Sequence, residues 1–125
     1  MHLSITVHTN LNFKLIISGI ISSPISINAA VGGTTTLTCV IAGYVTSVAW
    51  SFKLENEPTT FNAVGTTAPW ISTESTDSTT LRTTSKLVIS NHVQLTDEGY
   101  YKVTATFTNA ATATSATAHV PVIGM

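Results

Sequence analysis

The stretch TDEGYYKV, from Thr96 to Val103, joins a turn to a strand. Asp97 can accept hydrogen bonds from the N–H groups of a turn, and Gly99 allows a tight backbone that other residues avoid. From Tyr101 onward, apolar and polar residues alternate as far as Phe107. Because alternation with a period of two places every second side chain on one face, the stretch predicts a polar turn that enters a half-buried strand.

The same alternation recurs along the chain, and no window of a dozen residues keeps the apolar spacing of an amphipathic helix. Gly, Asn, Pro and Ser-Thr clusters separate the expected strands, and a hairpin turn is predicted at Asn109. Short strands are also expected near 61–64 and 70–72, and the polar segment 72–85 is expected to be an exposed loop or edge strand. The apolar positions of the main strands are Leu37, Cys39 and Ile41; Val48, Trp50, Phe52 and Leu54; Leu87 and Ile89; Tyr101, Val103, Ala105 and Phe107; and Ala116, Ala118, Val120 and Val122.

The composition suits one domain of 125 residues with a substantial core, since 43% of the residues are hydrophobic. Only 9% are charged, and Thr makes up about a fifth of the chain. A surface of hydroxyl groups rather than Lys and Glu is more typical of extracellular β-proteins than of cytosolic ones. The net charge of −1 provides no basic stripe for phosphates, so no nucleic-acid partner is expected.

Cys39 is the single cysteine, so no disulfide can form within the chain. Taken alone, this favours a reducing compartment, against the indication from the Thr-rich surface. No apolar run is long enough to span a membrane, so any anchor is expected elsewhere in a parent protein. The short run KLIISGII at 14–21 has two interpretations, as the apolar part of a signal peptide or as an edge strand.

Taken together, these features resemble the immunoglobulin superfamily. The matching pieces are GGTTTLTC ending in Cys39, then Trp50, then KLVISNHVQLTDEGYYKV. In that family they stand for the strand B cysteine, the strand C tryptophan, the strand E Leu-x-Ile, and the Asp-x-Gly-x-Tyr turn into strand F. The resemblance implies an all-β fold: a two-sheet antiparallel immunoglobulin-like sandwich with Greek-key topology, over residues 24–123. Residues 1–23 are expected to be an N-terminal extension, a leader or the first edge strand.

The resemblance also assigns structural roles. Trp50 would fill the core and need a partner for its indole N–H, and Tyr101 would form the tyrosine corner. The second family cysteine is replaced by Val103, so the core is expected to depend on packing around Trp50. In the family the aspartate often pairs with a basic residue, for which Arg82 is the candidate, although it stands too close to Leu87 for the usual spacing. The expected structural core is Cys39, Trp50, Leu87, Ile89, Asp97, Gly99, Tyr101 and Val103.

The spacing and the last strand refine the subtype. The 64 residues from Cys39 to Val103 leave room for strand C′ and allow strand C″, as in the variable type. The last strand, TATSATAHVPV, lacks the Gly-x-Gly bulge of antibody and T-cell-receptor domains and is expected to run straight. These two features favour a variable-like or intermediate-set domain.

No catalytic or metal-binding motif is present, so no enzymatic activity, cofactor or metal site is expected. His2, His8, His92 and His119 are scattered without ligand spacing. There is no nucleophile motif and no N-glycosylation sequon. Cys39 is expected to be a buried, inert thiol; the alternative is a reactive nucleophile or an intermolecular bridge.

These features lead to a hypothesis of protein–protein recognition, by an extracellular domain of a cell-surface adhesion or allorecognition/immune-type receptor. Its partner would be another protein or a second copy of itself. The alternatives are an intracellular structural domain of a muscle-type tandem array and a domain of a virion or microbial surface. In the family the sheet of strands G, F, C and C′ is the usual contact surface, and parity places these residues on its outer face: Ala49, Ser51, Lys53, Tyr100, Lys102, Thr104 and Thr106.

Overall fold

The computed structural model describes residues 2–5, 15–56, 60–94 and 96–124, which form strands and turns without a helix. The strands are β1 (His2–Ile5), β2 (Leu15–Ser22), β3 (Ala29–Ala30), β4 (Thr35–Ala42), β5 (Val45–Leu54), β6 (Asn62–Ala63), β7 (Trp70–Asp77), β8 (Arg82–Ile89), β9 (Gly99–Phe107), β10 (Thr112–Thr114), β11 (Ala118–Val120) and β12 (Val122–Ile123).

Two antiparallel sheets form the domain. The first sheet has the order β1-β2-β4-β8-β7, and the second has the order β10-β9-β5-β6, with β11 also paired to β9. The chain crosses from the first sheet to the second between β4 and β5 and again between β8 and β9. The expected all-β sandwich is confirmed.

The core lies between the sheets, where the alternating apolar residues of both sheets meet. Leu37, Cys39, Ile41, Leu87 and Ile89 come from the first sheet; Trp50, Tyr101, Val103, Ala105 and Phe107 come from the second. All ten are buried. Since burial of each large apolar side chain contributes about 1.5–3 kcal/mol, this layer is the main source of stability.

The N-terminal part of the chain extends the first sheet. Strand β2 pairs with β4, and β1 pairs with the outer side of β2. The segment 14–21 that allowed two interpretations therefore contributes a strand from Leu15 onward. This strand is not at the edge of the sheet, because β1 pairs with it on the side away from β4. Residue 1 and residues 6–14, which belong to the expected extension, lie outside the described residues.

The segment that follows β2 leaves the first sheet and pairs with the C-terminal segment of the chain. After β2, Ile27 N donates to His119 O at 3.0 Å and Ala29 N donates to Pro121 O at 2.9 Å. Strand β3 then runs parallel to β12. This pairing closes one side of the sandwich.

The opposite side of the sandwich stays open. Strand β6 has two residues, and between β6 and β7 the structure describes no further strand in residues 64–69. Strand C′ is thus present as β6, but the allowed strand C″ is not found among the described residues. Strand β7 is an edge strand, exposed from Ile71 to Asp77, which agrees with one of the two alternatives for the first part of 72–85. For residues 82–85 the prediction is wrong, because they begin β8, which lies between β4 and β7 and buries Thr83 and Ser85.

The prediction that the last strand runs straight is wrong. Thr114 pairs with Thr104, whereas Ala118 pairs with Tyr101, so one extra residue interrupts the pairing with β9. Ser115 is buried at the interruption, and Ala116, expected to face inward, is exposed. The Ser115 hydroxyl accepts a hydrogen bond from Val103 N at 3.0 Å and thereby fixes a β-bulge without glycine.

The hairpin turn predicted at Asn109 is observed. Its side-chain Oδ1 accepts a hydrogen bond from Ala111 N at 3.0 Å, and Ala110 adopts a φ of 70°. The β7–β8 turn uses the same chemistry, since Asp77 Oδ1 accepts from Thr79 N at 2.9 Å. Such side-chain caps replace backbone bonds in short turns.

We expect Val103→Cys to form a disulfide with Cys39 under oxidising conditions, because the two residues are fully buried in opposite sheets at the positions where the family joins them. The oxidised variant should be more stable than its own reduced form by about 2–4 kcal/mol in urea unfolding. Ala105→Cys, on the same face of β9, is the control and should keep both thiols. If thiol titration finds two free thiols in oxidised Val103→Cys, the opposition of the two positions is wrong.

Candidate recognition surface

The loop between β8 and β9 is fixed by Tyr101. Its hydroxyl donates a hydrogen bond of 2.6 Å to Asp97 O, four residues upstream, and accepts one of 3.2 Å from Trp70 Nε1. Burial raises the pKa of Tyr101, so the hydroxyl remains a donor. This is the arrangement of a tyrosine corner.

Gly99 brings β9 close to β5 at this corner. Its φ is +156°, and a Cβ at this position would collide with the backbone carbonyl of Lys53. Only glycine therefore allows the two strands to meet here. The contact sets the distance between β5 and β9 where the outer face begins.

The buried carboxylate of Asp97 contacts His92 rather than Arg82. His92 Nδ1 lies 3.4 Å from Asp97 Oδ2, and both side chains are fully buried. His92 Nε2 shares a hydrogen bond of 2.7 Å with Thr35 Oγ1. Arg82 is exposed and pairs in register with Asp77. The basic partner thus comes from the loop itself, five residues before Asp97, and the family spacing gave no indication of it.

Burial also dominates the protonation of Asp97. It raises the pKa of this carboxyl group, while the hydrogen bond from Val93 N and the nearby His92 act in the opposite direction. Asp97 Oδ1 accepts from Val93 N at 3.2 Å. These contacts place Asp97 in the loop that supports β9, away from the exposed surface.

Cys39 has no access to solvent. Burial raises the pKa of its thiol to about 11, and its exposed fraction is 0%. A reactive thiol needs exposure and a lowered pKa. The structure therefore favours the inert thiol over the nucleophile or intermolecular bridge.

The remaining residues of the expected core lie where the alternation put them. Trp50, Leu87, Ile89, Gly99 and Val103 are all buried. Trp50 Nε1 donates to Ser85 Oγ at 2.8 Å, which supplies the partner that a buried indole needs. Ser85 was not singled out by the sequence, because it lies in a polar segment.

The structure brings the seven residues proposed for partner binding onto one face. Ala49 pairs with Thr104, Ser51 with Lys102, and Lys53 with Tyr100, and Thr106 follows on β9. Directly paired residues in a sheet point to the same side. We call this surface, the outer side of β5 and β9 with its neighbours on β6, β10 and β11, the outer face.

One end of the outer face holds an aromatic and charged cluster centred on Tyr100. From one neighbouring strand, His119 stacks on its ring with a centroid distance of 4.5 Å; from the other, Lys53 Nζ lies 4.5 Å from the ring centroid. Glu55 in turn contacts His119 Nε2 at 2.8 Å. Lys102 Nζ, further along, lies 4.1 Å from the ring centroid of Phe61.

Sequence reasoning missed His119, Glu55 and Phe61. His119 alternates with buried Ala118 and Val120, so an outward position was readable. Its contact with Tyr100 depends on the β11 register, which the bulge shifts. Because the bulge could not be predicted from the sequence, neither could the contact between the two rings.

The other end of the outer face carries hydroxyl groups. Thr104 Oγ1 and Thr114 Oγ1 share a hydrogen bond of 3.1 Å, and Thr46 Oγ1 donates to Thr106 O at 3.0 Å. Thr112 pairs with Thr106. These small side chains lie along the outer face beside the Tyr100 cluster.

The two loops that join β4 to β5 and β9 to β10 are short. The β4–β5 connection is Gly43 and Tyr44, and the β9–β10 connection is residues 108–111. Thr108 N donates to Tyr44 O at 3.0 Å and joins the two. These two loops are therefore only two and four residues long.

In the described part of the chain, no three His, Cys, Asp or Glu residues are grouped to hold a metal ion. Nor does that part contain a helix able to cross a membrane.

A model of the immunoglobulin V-set domain matches residues 22–123, and the chain therefore belongs to this family. Among solved structures, it is similar to an "IG27 protein domain", with 15% identity and a TM-score of 0.62 over 87% of this chain and 100% of that one. At this identity the likeness shows the fold alone. No curated protein sequence matches the chain. V-set domains generally serve as non-enzymatic modules of protein–protein recognition, and this one lacks the disulfide.

We expect Tyr101→Phe to lower the free energy of unfolding by about 1–3 kcal/mol, because the ring stays while Asp97 O and Trp70 Nε1 lose their partner. Tyr100→Phe removes a hydroxyl from the next residue, on the outer face, and is the matched control; its change should stay within about 0.5 kcal/mol. Both are measured by urea unfolding. Equal losses in the two variants would contradict the corner.

We expect Cys39 to react with a maleimide at least about 100-fold more slowly in the folded protein than after denaturation. A pKa raised from 9.0 to about 11 lowers the thiolate fraction about 100-fold at neutral pH, and burial adds a barrier of access. The denatured protein serves as the control for complete labelling. Native labelling at the denatured rate would refute the burial of Cys39.

Proposed function

We propose that this V-set domain is the recognition module of a cell-surface adhesion or allorecognition/immune-type receptor, and that it binds a protein partner through the outer face. The single observation that carries the proposal is that the Tyr100 ring contacts Lys53 on one side and stacks on His119 on the other. Tyrosine is enriched among residues that dominate binding energy.

The geometry of Tyr100 lowers the cost of binding. An exposed aromatic side chain that is free in solution loses conformational entropy when a partner holds it. Tyr100 is already half-buried and packed from both neighbouring strands. Its ring is therefore pre-organised for contact.

The surroundings of Tyr100 suit a protein partner. Thr104, Thr106 and Ser51 form a flat area of small hydroxyl side chains, while Lys53 and Lys102 contribute charges beside aromatic rings. Interfaces combine such an aromatic centre with a polar surround. The short loops at the end of the sandwich favour the sheet face over the loop tips as the contact surface.

The proposal of an extracellular domain rests on the composition of the chain rather than on Cys39. With 9% charged residues and about a fifth Thr, the chain differs from the Lys- and Glu-rich domains of muscle-type arrays. The reduced thiol was the feature that favoured those arrays, but a buried thiol with a raised pKa persists in either compartment. The flanking sequence of the gene separates the alternatives: a signal peptide and one membrane span support the receptor, and a tandem array with neither supports the structural domain.

We expect the isolated domain, if its partner is a second copy, to self-associate in analytical ultracentrifugation and to cluster coated beads. Tyr100→Ala and Lys102→Glu should each weaken both effects about tenfold or more. Lys86→Glu introduces the same charge change on an exposed position of the first sheet and should have no effect.

Two outcomes contradict this prediction. A wild-type domain that is monomeric at high concentration and clusters no beads excludes self-recognition. Equal loss of association in Lys86→Glu and Lys102→Glu would show that net charge, and not the outer face, controls the association.

A further inference from the structure

A cleft of about 410 Å³ opens between the two sheets on the side of β6 and β7. Val48 and Trp50 line it from the second sheet, and Trp70 and Glu74 line it from the first, with Val64 at the connection between the sheets. The cleft borders the outer face at Ala49 and Ala63, while Val48 and Trp50 line it from the inner side of β5.

The cleft is open because the second sheet ends before the first. Ser72, Glu74 and Thr76 of β7 pair in register with Leu87, Ser85 and Thr83, all of which are buried. The three β7 side chains therefore point toward the inside of the sandwich, and yet they are exposed.

The carboxylate of Glu74 is held in place from the core. Its Oε2 accepts hydrogen bonds from Ser72 Oγ at 2.7 Å and from Ser85 Oγ at 2.9 Å. Ser85 is fully buried and itself accepts the 2.8 Å bond from Trp50 Nε1. The chain of bonds from Trp50 to Glu74 fixes one carboxylate oxygen at the mouth of the cleft.

The second oxygen of Glu74 remains open for a ligand. Among the described residues, no hydrogen bond reaches Oε1 and no ion pair joins Glu74 to a Lys, Arg or His. The basic residues of β8, Arg82 and Lys86, alternate with buried residues and lie on the outer side of the first sheet. A pre-oriented carboxylate with indole and valine walls has the chemistry to receive a cation on an apolar stem.

We propose that this cleft binds the Lys or Arg side chain of an extended segment of another protein, which adds as a strand to the open edge of β7. Strand β7 has eight residues and pairs only with β8 within the described residues. In strand addition, backbone bonds supply affinity and alternate side chains enter pockets that supply specificity. The segment that lies against β7 directs one such side chain toward Glu74. A neutral side chain leaves the Glu74 charge unmatched, and an acidic one is repelled.

This site lies away from the Tyr100 cluster of the outer face, since Tyr100, Lys53 and His119 do not line the cleft. Tyr100→Ala leaves the cleft intact, and Glu74→Gln leaves the outer face intact. A variant that loses peptide binding but keeps association through the outer face, or the reverse, therefore tells the two proposals apart.

The test uses the folded domain and two capped nonapeptides, Ac-TSVTKTVST-NH2 and the same peptide with norleucine in place of lysine. The indole N–H signals of the two tryptophans report the cleft, since Trp50 is bonded to Ser85 and Trp70 lies on the wall. We expect the lysine peptide to shift both signals at millimolar concentration and to slow hydrogen exchange along β7. The norleucine peptide should bind about tenfold or more weakly.

Variants of the domain show whether binding depends on the charge of Glu74 or only on the shape of the cleft. Glu74→Gln keeps an oxygen that accepts from both serines and should reduce lysine-peptide binding to the norleucine level. Asp77→Asn is the matched control, because Asp77 lies on the same strand at a position that faces the other side, and it should bind like the wild type. The comparison of the two peptides on the wild-type domain does not depend on any variant.

Three results would overturn the proposal. The first is the absence of any indole shift with the lysine peptide, and the second is equal binding of the lysine and norleucine peptides. The third is an indole shift with n-butylammonium of the same affinity as the peptide, without slower exchange along β7, which would show a site for free amines rather than for a strand.

Discussion

The hydrogen bond from Trp50 Nε1 to Ser85 Oγ is the interaction on which the rest of the structure depends. It joins β5 of the second sheet to β8 of the first, across the middle of a core that has no disulfide. Trp50 pairs in register with Val103, the residue that replaces the second family cysteine. Because an unpaired buried indole or hydroxyl costs about 1–3 kcal/mol, this bond selects one alignment of the two sheets. A polar contact thus specifies the geometry that the family specifies with a covalent bond.

Three further polar contacts extend this arrangement toward the edge and the end of the core. Trp70 on β7 donates to Tyr101 on β9, so that the first and second sheets are also joined near the open edge. Phe52 packs against both rings, at centroid distances of 4.5 Å and 5.8 Å. The buried Thr35, His92 and Asp97 connect β4 to the loop before β9. Apolar packing supplies most of the stability, and the hydrogen bonds of Trp70 and His92 restrict how the apolar layers fit together.

The sequence predicted what a single strand decides and missed what two strands decide together. Alternation placed Leu37, Leu87 and Val103 in the core, because burial on one face follows from the period of a strand. The need of Trp50 for a partner was predicted, but Ser85 was not, since the partner depends on which strand packs opposite. Parity likewise placed Lys53 and Tyr100 on one face and could not supply His119. The binding role of that face stays a prediction.

The wrong prediction for the last strand also arose because two strands decide the outcome together. A straight strand was expected because no glycine marked a bulge, yet the Ser115 hydroxyl meets the need of Val103 N that the extra residue would otherwise leave unpaired. A side-chain hydroxyl can thus satisfy the N–H that a bulge leaves unpaired, at a residue without a positive φ. In a chain this rich in Thr and Ser, the absence of glycine is weak grounds for regular pairing. The register of β11, and with it the position of His119, follows from that one serine.

Strand β9 couples the core to the outer face residue by residue. Tyr101 points inward to the corner, while Tyr100 and Lys102 point outward. Gly99 sets how closely β9 approaches the backbone of Lys53, and Lys53 is the residue whose ammonium group lies over the Tyr100 ring. Any change that moves Gly99 or Tyr101 must therefore move the Tyr100 cluster as well. The motif that determines the fold and the side chains offered to a partner occupy the same strand, so the fold and the proposed contact surface cannot vary independently there.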